Sequence, residues 1–282
     1  MALDQVDVDE VFPDEKNMGF FAHIDELRKH LVRIAYAVLI ATCVTFFWVE
    51  KIFDMVILGP FKSDFWGYKF FCKAGHFVLG NDSLCWQPPA LSMQSQQIQG
   101  QFVSAFKIAL VVGVILAFPY IIYQLWSFIR PALSQKEIKR TRRSLFVVSF
   151  LFFIGVLFAY FFLVPVATNF LLSYKLNDSI QNIITISSVT GFVTFMSLAT
   201  GLVFELPVLI YILATIGLVT AAFLRKYWRY AAVIIFIIAG IATPSPDIFS
   251  QLLLGMPLMF LYVVGIYIAK RVEKRKLREE NE

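Results

Sequence analysis

Two glutamates of this sequence lie beside Lys and Arg residues, and their chemistry suits the binding of a cation. Glu137 lies within residues 130–143, which read RPALSQKEIKRTRR, and Glu26 lies within the stretch NMGFFAHIDELRKH. A carboxylate in such surroundings can bind a planar guanidinium group through two parallel hydrogen bonds. The alternative is that each glutamate pairs with a neighbouring arginine or histidine of its own segment, which contributes little at a surface. The residues alone leave both interpretations open.

A third glutamate, Glu205, lies inside an apolar run long enough to cross a membrane. A carboxylate at that depth is costly and usually faces a protein interior or a cavity. Small or hydroxyl residues precede it at helical spacing, over an arc of about 80°: Thr190, Thr194, Ser197 and Gly201. This polar stripe is either an internal packing seam between helices or a site that faces a partner or a substrate.

The composition identifies the elements that must position these residues. Of the 282 residues, 59% are hydrophobic and 16% charged, which is more apolar and less charged than a typical soluble domain. We therefore predict an all-α membrane protein with six transmembrane helices. The fifth and sixth segments are short, and we expect them to form a hairpin that need not reach the far surface. The six segments are 31–49, 102–128, 144–166, 190–218, 230–241 and 248–269.

The distribution of charge predicts the orientation of these helices. Most of the 25 Lys and Arg residues flank the spans on one side, which is therefore the expected cytoplasmic side, with both termini on it. The acidic residues 1–17 read as a disordered tail rather than a cleavable signal peptide. Residues 18–269 form the predicted membrane domain, beginning with a helix that lies on the membrane surface up to residue 30. Residues 270–282 form a basic tail.

The sequence disfavours catalysis, metal binding and nucleic-acid binding. It contains no HExxH, GxSxG or GxxxxGK[ST] motif, and its three histidines lie outside the predicted spans. The cysteines are too few for a metal site, and no cofactor is expected. The basic residues sit beside spans rather than on a basic domain, so no nucleic-acid partner is expected. Cys72 and Cys85, in the first loop of the far side, are either a disulfide or two free thiols.

Four motifs, in order, resemble those of the TatC family, the multi-spanning C subunit of the twin-arginine protein translocase. They are FFAHIDELRKHL, FPYIIYQLWSFIRPAL followed by Glu137, FELPVL at 204–209, and TPSPDIFSQ at 243–251. The resemblance extends from about residue 18 to residue 270 and includes the six-helix topology. It implies six helices in a curved, cupped arrangement.

The resemblance also implies a function. Members of this family are receptors in the cytoplasmic (inner) membrane that bind the twin-arginine signal peptides of folded cargo proteins. They nucleate the translocation site together with TatA-type and often TatB-type single-span subunits, as an oligomeric complex driven by the proton-motive force.

The resemblance assigns roles to particular residues. Glu26 and Glu137 match the two carboxylates that recognise the paired arginines, and Leu27, Arg28 and Phe128 match the rest of the signal-peptide site. Glu205 and Gln251 match family positions, and the resemblance places Glu205 on a concave face where partner helices dock; Thr194 and Ser197 of the polar stripe belong to the same predicted intramembrane site. The remaining matches are to structural positions: Pro60, Pro119, Tyr160 and Asp247.

Two other classes of function are alternatives to a receptor. A self-contained channel or transporter would use Glu205 as an ion or proton site, but the sequence has no repeated halves and no second buried charge. A membrane enzyme would need a catalytic set that the spans do not supply.

Overall fold

The structure is a computed structural model that describes residues 20–80, 85, 93–129, 135–174, 177, 183–242 and 248–280. The helices in chain order are α1 (Phe20–Phe47), α2 (Val49–Ile52), α3 (Trp66–Leu79), α4 (Gly100–Ile129), α5 (Gln135–Phe158), α6 (Val164–Ser173), α7 (Ile186–Val203), α8 (Leu206–Thr215), α9 (Ala221–Lys226), α10 (Trp228–Ala242) and α11 (Ile248–Glu280). Two short strands, β1 (Met93–Gln94) and β2 (Ile184–Thr185), pair in parallel.

Within the described residues, five helical stretches are long and apolar enough to cross a membrane. They are Ile24–Phe47, Gly100–Phe128, Phe146–Ser173, Ile186–Thr215 and Leu254–Lys276. A sixth apolar stretch, Trp228–Ile241, is shorter. Helices are expected here because a backbone in lipid must satisfy its own hydrogen bonds. The prediction of a multi-pass, all-α membrane protein with a short fifth helix is confirmed.

The first helix differs from the prediction. α1 is one continuous helix of 28 residues, so the surface helix predicted up to residue 30 is not a separate element. No proline or glycine occurs between Phe20 and Phe47, and nothing interrupts the backbone hydrogen bonds. The segment that carries Glu26 is therefore a rigid extension of the first span.

The third span also continues beyond its predicted end. Its predicted end is residue 166, directly after Pro165, yet the helical stretch reaches Ser173. A π-helical turn over Ala159–Leu163 precedes the proline, which then lies in the first turn of α6. Proline is tolerated there because its missing N–H would have no partner within the helix anyway.

The sixth helix is not short. α11 has 33 residues and passes through residue 270, where the basic tail was expected to begin, without a break. The tail sequence KRVEKRKLREE contains no proline or glycine and consists mostly of good helix formers, so the helix outlasts its apolar part. The fourth span, by contrast, breaks between α7 and α8 at Glu205, two residues before Pro207.

Close helix crossings at small residues hold the bundle together. A Cβ added to Gly113 of α4 would lie 2.8 Å from the Thr42 nitrogen of α1. Beside it, the Thr45 hydroxyl lies 2.8 Å from the Ala109 carbonyl oxygen, a hydrogen bond between the same two helices. A Cβ on Gly201 of α7 would lie 2.7 Å from the Val156 side chain of α5. The backbones of both pairs are thus in contact.

The larger buried cluster joins α7, α8 and α11 and extends to α9 and α10 and to the π-helical turn. Its fully buried members include Met196, Leu254 and Leu258. In α11, Gly265 admits the Ile210 side chain of α8, whose Cδ1 atom occupies the space of a Cβ. The second half of the chain is therefore anchored on α11.

We call the end of the bundle where α4 ends and α5 begins the basic end, since the first residues of α5, 135–143, are strongly basic. The opposite end is covered by α3. The Tyr68 hydroxyl of α3 donates to the Pro60 carbonyl oxygen at 2.9 Å, and burial raises the pKa of this hydroxyl above its usual value. Rings of α3, including Trp66 and Phe70, pack edge-on against Phe162 of the π-helical turn.

Candidate functional site

Glu26 lies on α1 at the basic end, and its carboxylate is only partly satisfied. The side chain is half-buried, and its Oε2 atom is buried with no hydrogen-bond partner among the described residues. Neighbouring Lys29 pairs instead with Asp25, at 2.8 Å between Nζ and Oδ2. Leaving a buried carboxylate oxygen unpaired is costly, so this atom is poised to accept a hydrogen bond from a ligand.

A buried hydrogen-bond chain fixes α1 against α4 one turn beyond Glu26. His30 Nδ1 lies 2.6 Å from Gln124 Oε1, and Gln124 Nε2 donates to the Tyr120 hydroxyl at 2.6 Å. Because Gln124 Oε1 can only accept, His30 Nδ1 carries the proton in this arrangement. His30 is therefore engaged with α4 and is not the partner of Glu26. The sequence did not single out Gln124, although it is a lone amide in an apolar run.

The other members of the proposed signal-peptide site lie at the same end. The ring of Phe128, in the last turn of α4, meets the His30 ring edge-on with centroids 6.3 Å apart. Leu27 is half-buried and Arg28 exposed on α1. Glu137 is the third residue of α5, the helix that follows α4, and its side chain lies outside the described residues. α1, α4 and α5 thus bring these positions to one end of the bundle.

Glu205 lies at the break between α7 and α8, in the middle of the fourth span. It is half-buried, and neither carboxylate oxygen makes a hydrogen bond of good geometry with a described residue. Pro207 in the first turn of α8 accounts for the break, since proline cannot continue the preceding hydrogen-bond ladder. Among the described residues, this carboxylate therefore has no side-chain hydrogen-bond partner at membrane depth.

The polar stripe on α7 is covered by the chain itself. Thr190, Thr194 and Ser197 are 0%, 4% and 7% exposed, and the Thr194 hydroxyl donates to the Thr190 carbonyl oxygen at 2.6 Å. Gly201 packs against α5. In the single chain, the stripe is a packing seam that leads to Glu205, whose carboxylate oxygens have no hydrogen-bond partner among the described residues.

The remaining predicted residues have structural surroundings. Gln251 of α11 donates from Nε2 to the Phe236 carbonyl oxygen at 2.7 Å and so ties α11 to α10. The Tyr160 hydroxyl lies in the π-helical turn, 3.4 Å from the Met55 carbonyl oxygen. Pro119 lies inside α4, which stays helical through it. Asp247 lies outside the described residues.

Cys72 and Cys85 are joined by a disulfide at the far end of the bundle. The sequence had left open whether they were bonded. His76 lies on the same face, with its ring nitrogen and the two sulfurs all within 4.8 Å of one another. Because a disulfide sulfur is not a thiolate, the bonded pair is no metal ligand set in this form.

Comparisons with known proteins agree on one family. The family model described as "TatC: Sec-independent protein translocase protein (TatC)" matches residues 22–257. The Sec-independent protein translocase protein TatC of Blattabacterium sp. subsp. Periplaneta americana (strain BPLAN) is 40% identical over 265 residues, covering 93% of this chain and 99% of the relative. The corresponding protein of Carboxydothermus hydrogenoformans is 33% identical over 269 residues, covering 95% and 99%.

A solved structure is similar in fold as well as in sequence. The crystal structure described as that of the twin arginine translocase receptor TatC superposes with a TM-score of 0.69 at 29% identity. The match covers 89% of this chain and 99% of that chain. A second structure of that receptor, in DDM, gives a TM-score of 0.70 at 28% identity.

Proposed function

Because this chain belongs to the TatC family of Sec-independent protein translocase proteins, we propose that it is the receptor that binds twin-arginine signal peptides of folded cargo. The observation that carries the proposal is the half-buried Glu26 carboxylate, with one oxygen unpaired, at the basic end. It is the kind of acceptor that a guanidinium group of the signal peptide would satisfy.

The two arginines would be shared between Glu26 and Glu137. A guanidinium fork can form two parallel hydrogen bonds with a carboxylate, whereas a lysine ammonium offers only a point charge. Lys and Arg residues near both glutamates repel a positively charged ligand that cannot form these two parallel hydrogen bonds. Leu27 and Phe128 would contact the apolar part of the signal peptide.

The brace between α1 and α4 gives this site its rigidity. The hydrogen bonds of His30 and Gln124 hold the start of α1 against the end of α4, next to Phe128. A carboxylate fixed in advance loses less conformational freedom when it binds. Recognition in this proposal needs no covalent chemistry, cofactor or metal, so the chain acts as a receptor and not as an enzyme.

Glu205 would serve a separate step, the docking of TatA-type and TatB-type single-span helices inside the membrane. A carboxylate at this depth with no partner is stabilised by a polar group brought by another helix. Assembly of several copies with these partners, energised by the proton-motive force, would then open the path for cargo. The basic end would face the cytoplasm, with both termini on that side of the inner membrane.

Photocrosslinking of a twin-arginine signal peptide to the protein in membranes tests the receptor proposal. We expect strong crosslinks with the twin-arginine peptide, weak ones with a twin-lysine peptide, and loss in Glu26→Ala and Glu137→Ala. If the pair between Glu137 and arginine is desolvated, its removal costs about 2–5 kcal/mol of binding free energy.

Asp25→Ala is the matched control, because Asp25 is an adjacent, exposed carboxylate of α1 that is already paired with Lys29. We expect this variant to bind like the wild type. Equal crosslinking of the arginine and lysine peptides, or equal loss in Asp25→Ala and Glu26→Ala, would contradict the proposal.

A further inference from the structure

The last helix carries a continuous exposed face that changes from apolar to basic. Four residues along α11 are strongly exposed in the chain: Met256 (65%), Phe260 (67%), Val263 (46%) and Tyr267 (71%). Exposed cations follow on the same face. At about 100° per residue, the whole series lies within an arc of about 100°. The cations are Lys270, Arg271 and Lys274.

A surface groove marks the point where the two parts of this face meet. It has a volume of about 350 Å³, and all of its lining residues belong to α11. The apolar lining residues come first along the helix, and the basic ones follow from Lys270 onward, at the C-terminal end of the stretch Leu254–Lys276. The lining residues are Val264, Tyr267, Ile268, Lys270, Arg271 and Lys274.

The cations of the groove are not engaged within the described part of the chain. None of Lys270, Arg271 and Lys274 forms an ion pair with a described carboxylate. The nearby Glu273 points to the other side of α11, where Oε1 accepts a hydrogen bond from the Ala221 N–H at 2.6 Å. Internal contacts therefore use the inner side of this helix and leave three positive charges on the outer side.

From this arrangement we propose that the groove binds the headgroup of an anionic phospholipid. The apolar stripe below the groove provides the surface along which an acyl chain lies, and the three cations lie at the level of the phosphate. Basic clusters next to a membrane span attract anionic headgroups, at about 1 kcal/mol for each Lys or Arg near the surface. A soluble anion would use the cations but not the apolar stripe. The site is independent of the proposed signal-peptide site on α1, α4 and α5.

Native mass spectrometry of the full chain in detergent tests the proposal, with phosphatidylglycerol as the anionic lipid and phosphatidylcholine as the zwitterionic one. We expect phosphatidylglycerol to bind about tenfold more tightly or better. The triple variant Lys270→Gln, Arg271→Gln, Lys274→Gln should lose this preference. The double variant Lys270→Arg, Lys274→Arg keeps the charge and should retain it.

The matched control removes three other exposed cations from the basic end, Arg225, Lys226 and Arg229, by substitution with Gln. It changes the net charge equally but leaves the groove intact, so we expect its lipid preference to change less than about twofold. If both triple variants lose the preference for phosphatidylglycerol equally, the preference depends only on net charge, and the proposed site is wrong. Thermal unfolding of each variant verifies that it is folded, and the Lys-to-Arg variant tests the charge requirement independently.

A soluble competitor separates the lipid from a free phosphate. Glycerol phosphate at the same concentration as phosphatidylglycerol should leave lipid binding unchanged, because it cannot contact the apolar stripe. Displacement of the lipid by glycerol phosphate would show that the groove binds small anions, and would overturn the proposal.

Discussion

The hydrogen bonds of Gln124 connect two helices that are far apart in the sequence, since His30 precedes it by 94 residues. Replacing Gln124 with Leu removes the acceptor for His30 Nδ1 and the donor to the Tyr120 hydroxyl. We expect a loss of about 1–3 kcal/mol in the free energy of unfolding, because buried polar groups are left without partners. Thermal unfolding in detergent measures the loss of stability, and signal-peptide crosslinking measures the effect on the site.

Gln101→Leu is the control for this substitution, because Gln101 is an exposed amide in the first turn of the same helix. It should leave both stability and crosslinking near the wild-type level. If Gln124→Leu behaves like Gln101→Leu in both measurements, the brace does not position Glu26.

At Glu205, the expected effect is on assembly and not on peptide binding. Glu205→Ala removes an intramembrane carboxylate that has no side-chain hydrogen-bond partner in the described part of the chain, so the isolated chain should stay folded. We expect weaker co-purification of TatA-type partners with unchanged crosslinking of the signal peptide. Glu50→Ala, at an exposed carboxylate of α2, is the control and should change neither. Unchanged co-purification after Glu205→Ala would indicate that Glu205 only packs between helices and does not bind a partner.

The sequence identified those candidate residues whose charge differs from their surroundings. Glu26 and Glu205 stood out because one lies beside Arg28 and Lys29 and the other inside an apolar run. Gln124 carries no charge, and its importance depends on how α1 and α4 align, which no local pattern reports. Likewise, the burial of Thr194 and Ser197 depends on which helices cover α7, so the sequence could only state two alternatives.

At the scale of helices, the crossing of α5 and α7 depends on Gly201. A Cβ at this position would lie 2.7 Å from the Val156 side chain and 2.8 Å from the Phe152 ring. Gly201→Ala should therefore force the helices apart and cost about 1–3 kcal/mol of stability. Gly191→Ala on the same helix is the control, since its nearest neighbour, Lys107 Nζ, is 3.5 Å away. Equal unfolding temperatures for the two variants would show that the contact is not tight.

The sequence indicates where helices break better than where they continue, and the reason is physical. The break at Glu205 and the shortness of α10 follow from local residues, a proline and the limited length of an apolar run. The π-helical turn before Pro165 accommodates a proline that the sequence alone marks as an end. The continuity of α1 and α11 past the apolar segments was missed because hydropathy reports where lipid ends, not where a helix ends.

At the scale of the whole molecule, the disulfide between Cys72 and Cys85 indicates which end of the bundle faces the oxidising side of the membrane. The bond closes a loop with a sequence separation of 13, at the end of the bundle opposite the basic residues. Disulfides persist in oxidising compartments and are rare where thiols are kept reduced. If the basic end faces the cytoplasm, these two cysteines face the oxidising side, and the bond should be present in cells.

Alkylation of intact cells with a thiol reagent, followed by non-reducing mass spectrometry, measures this directly. We expect Cys72 and Cys85 in one linked peptide that carries no alkyl group. Cys43, the third cysteine, forms no disulfide and lies in the membrane-spanning part of α1. The double variant Cys72→Ser, Cys85→Ser should lose about 3 kcal/mol of stability, the value expected for a closed loop of about this size. A reducing agent should lower the unfolding temperature of the wild type and of Cys43→Ser alike, and leave the double variant unchanged. Alkylated Cys72 and Cys85 in cells would contradict the orientation and the bond together, because both rest on the same oxidising compartment.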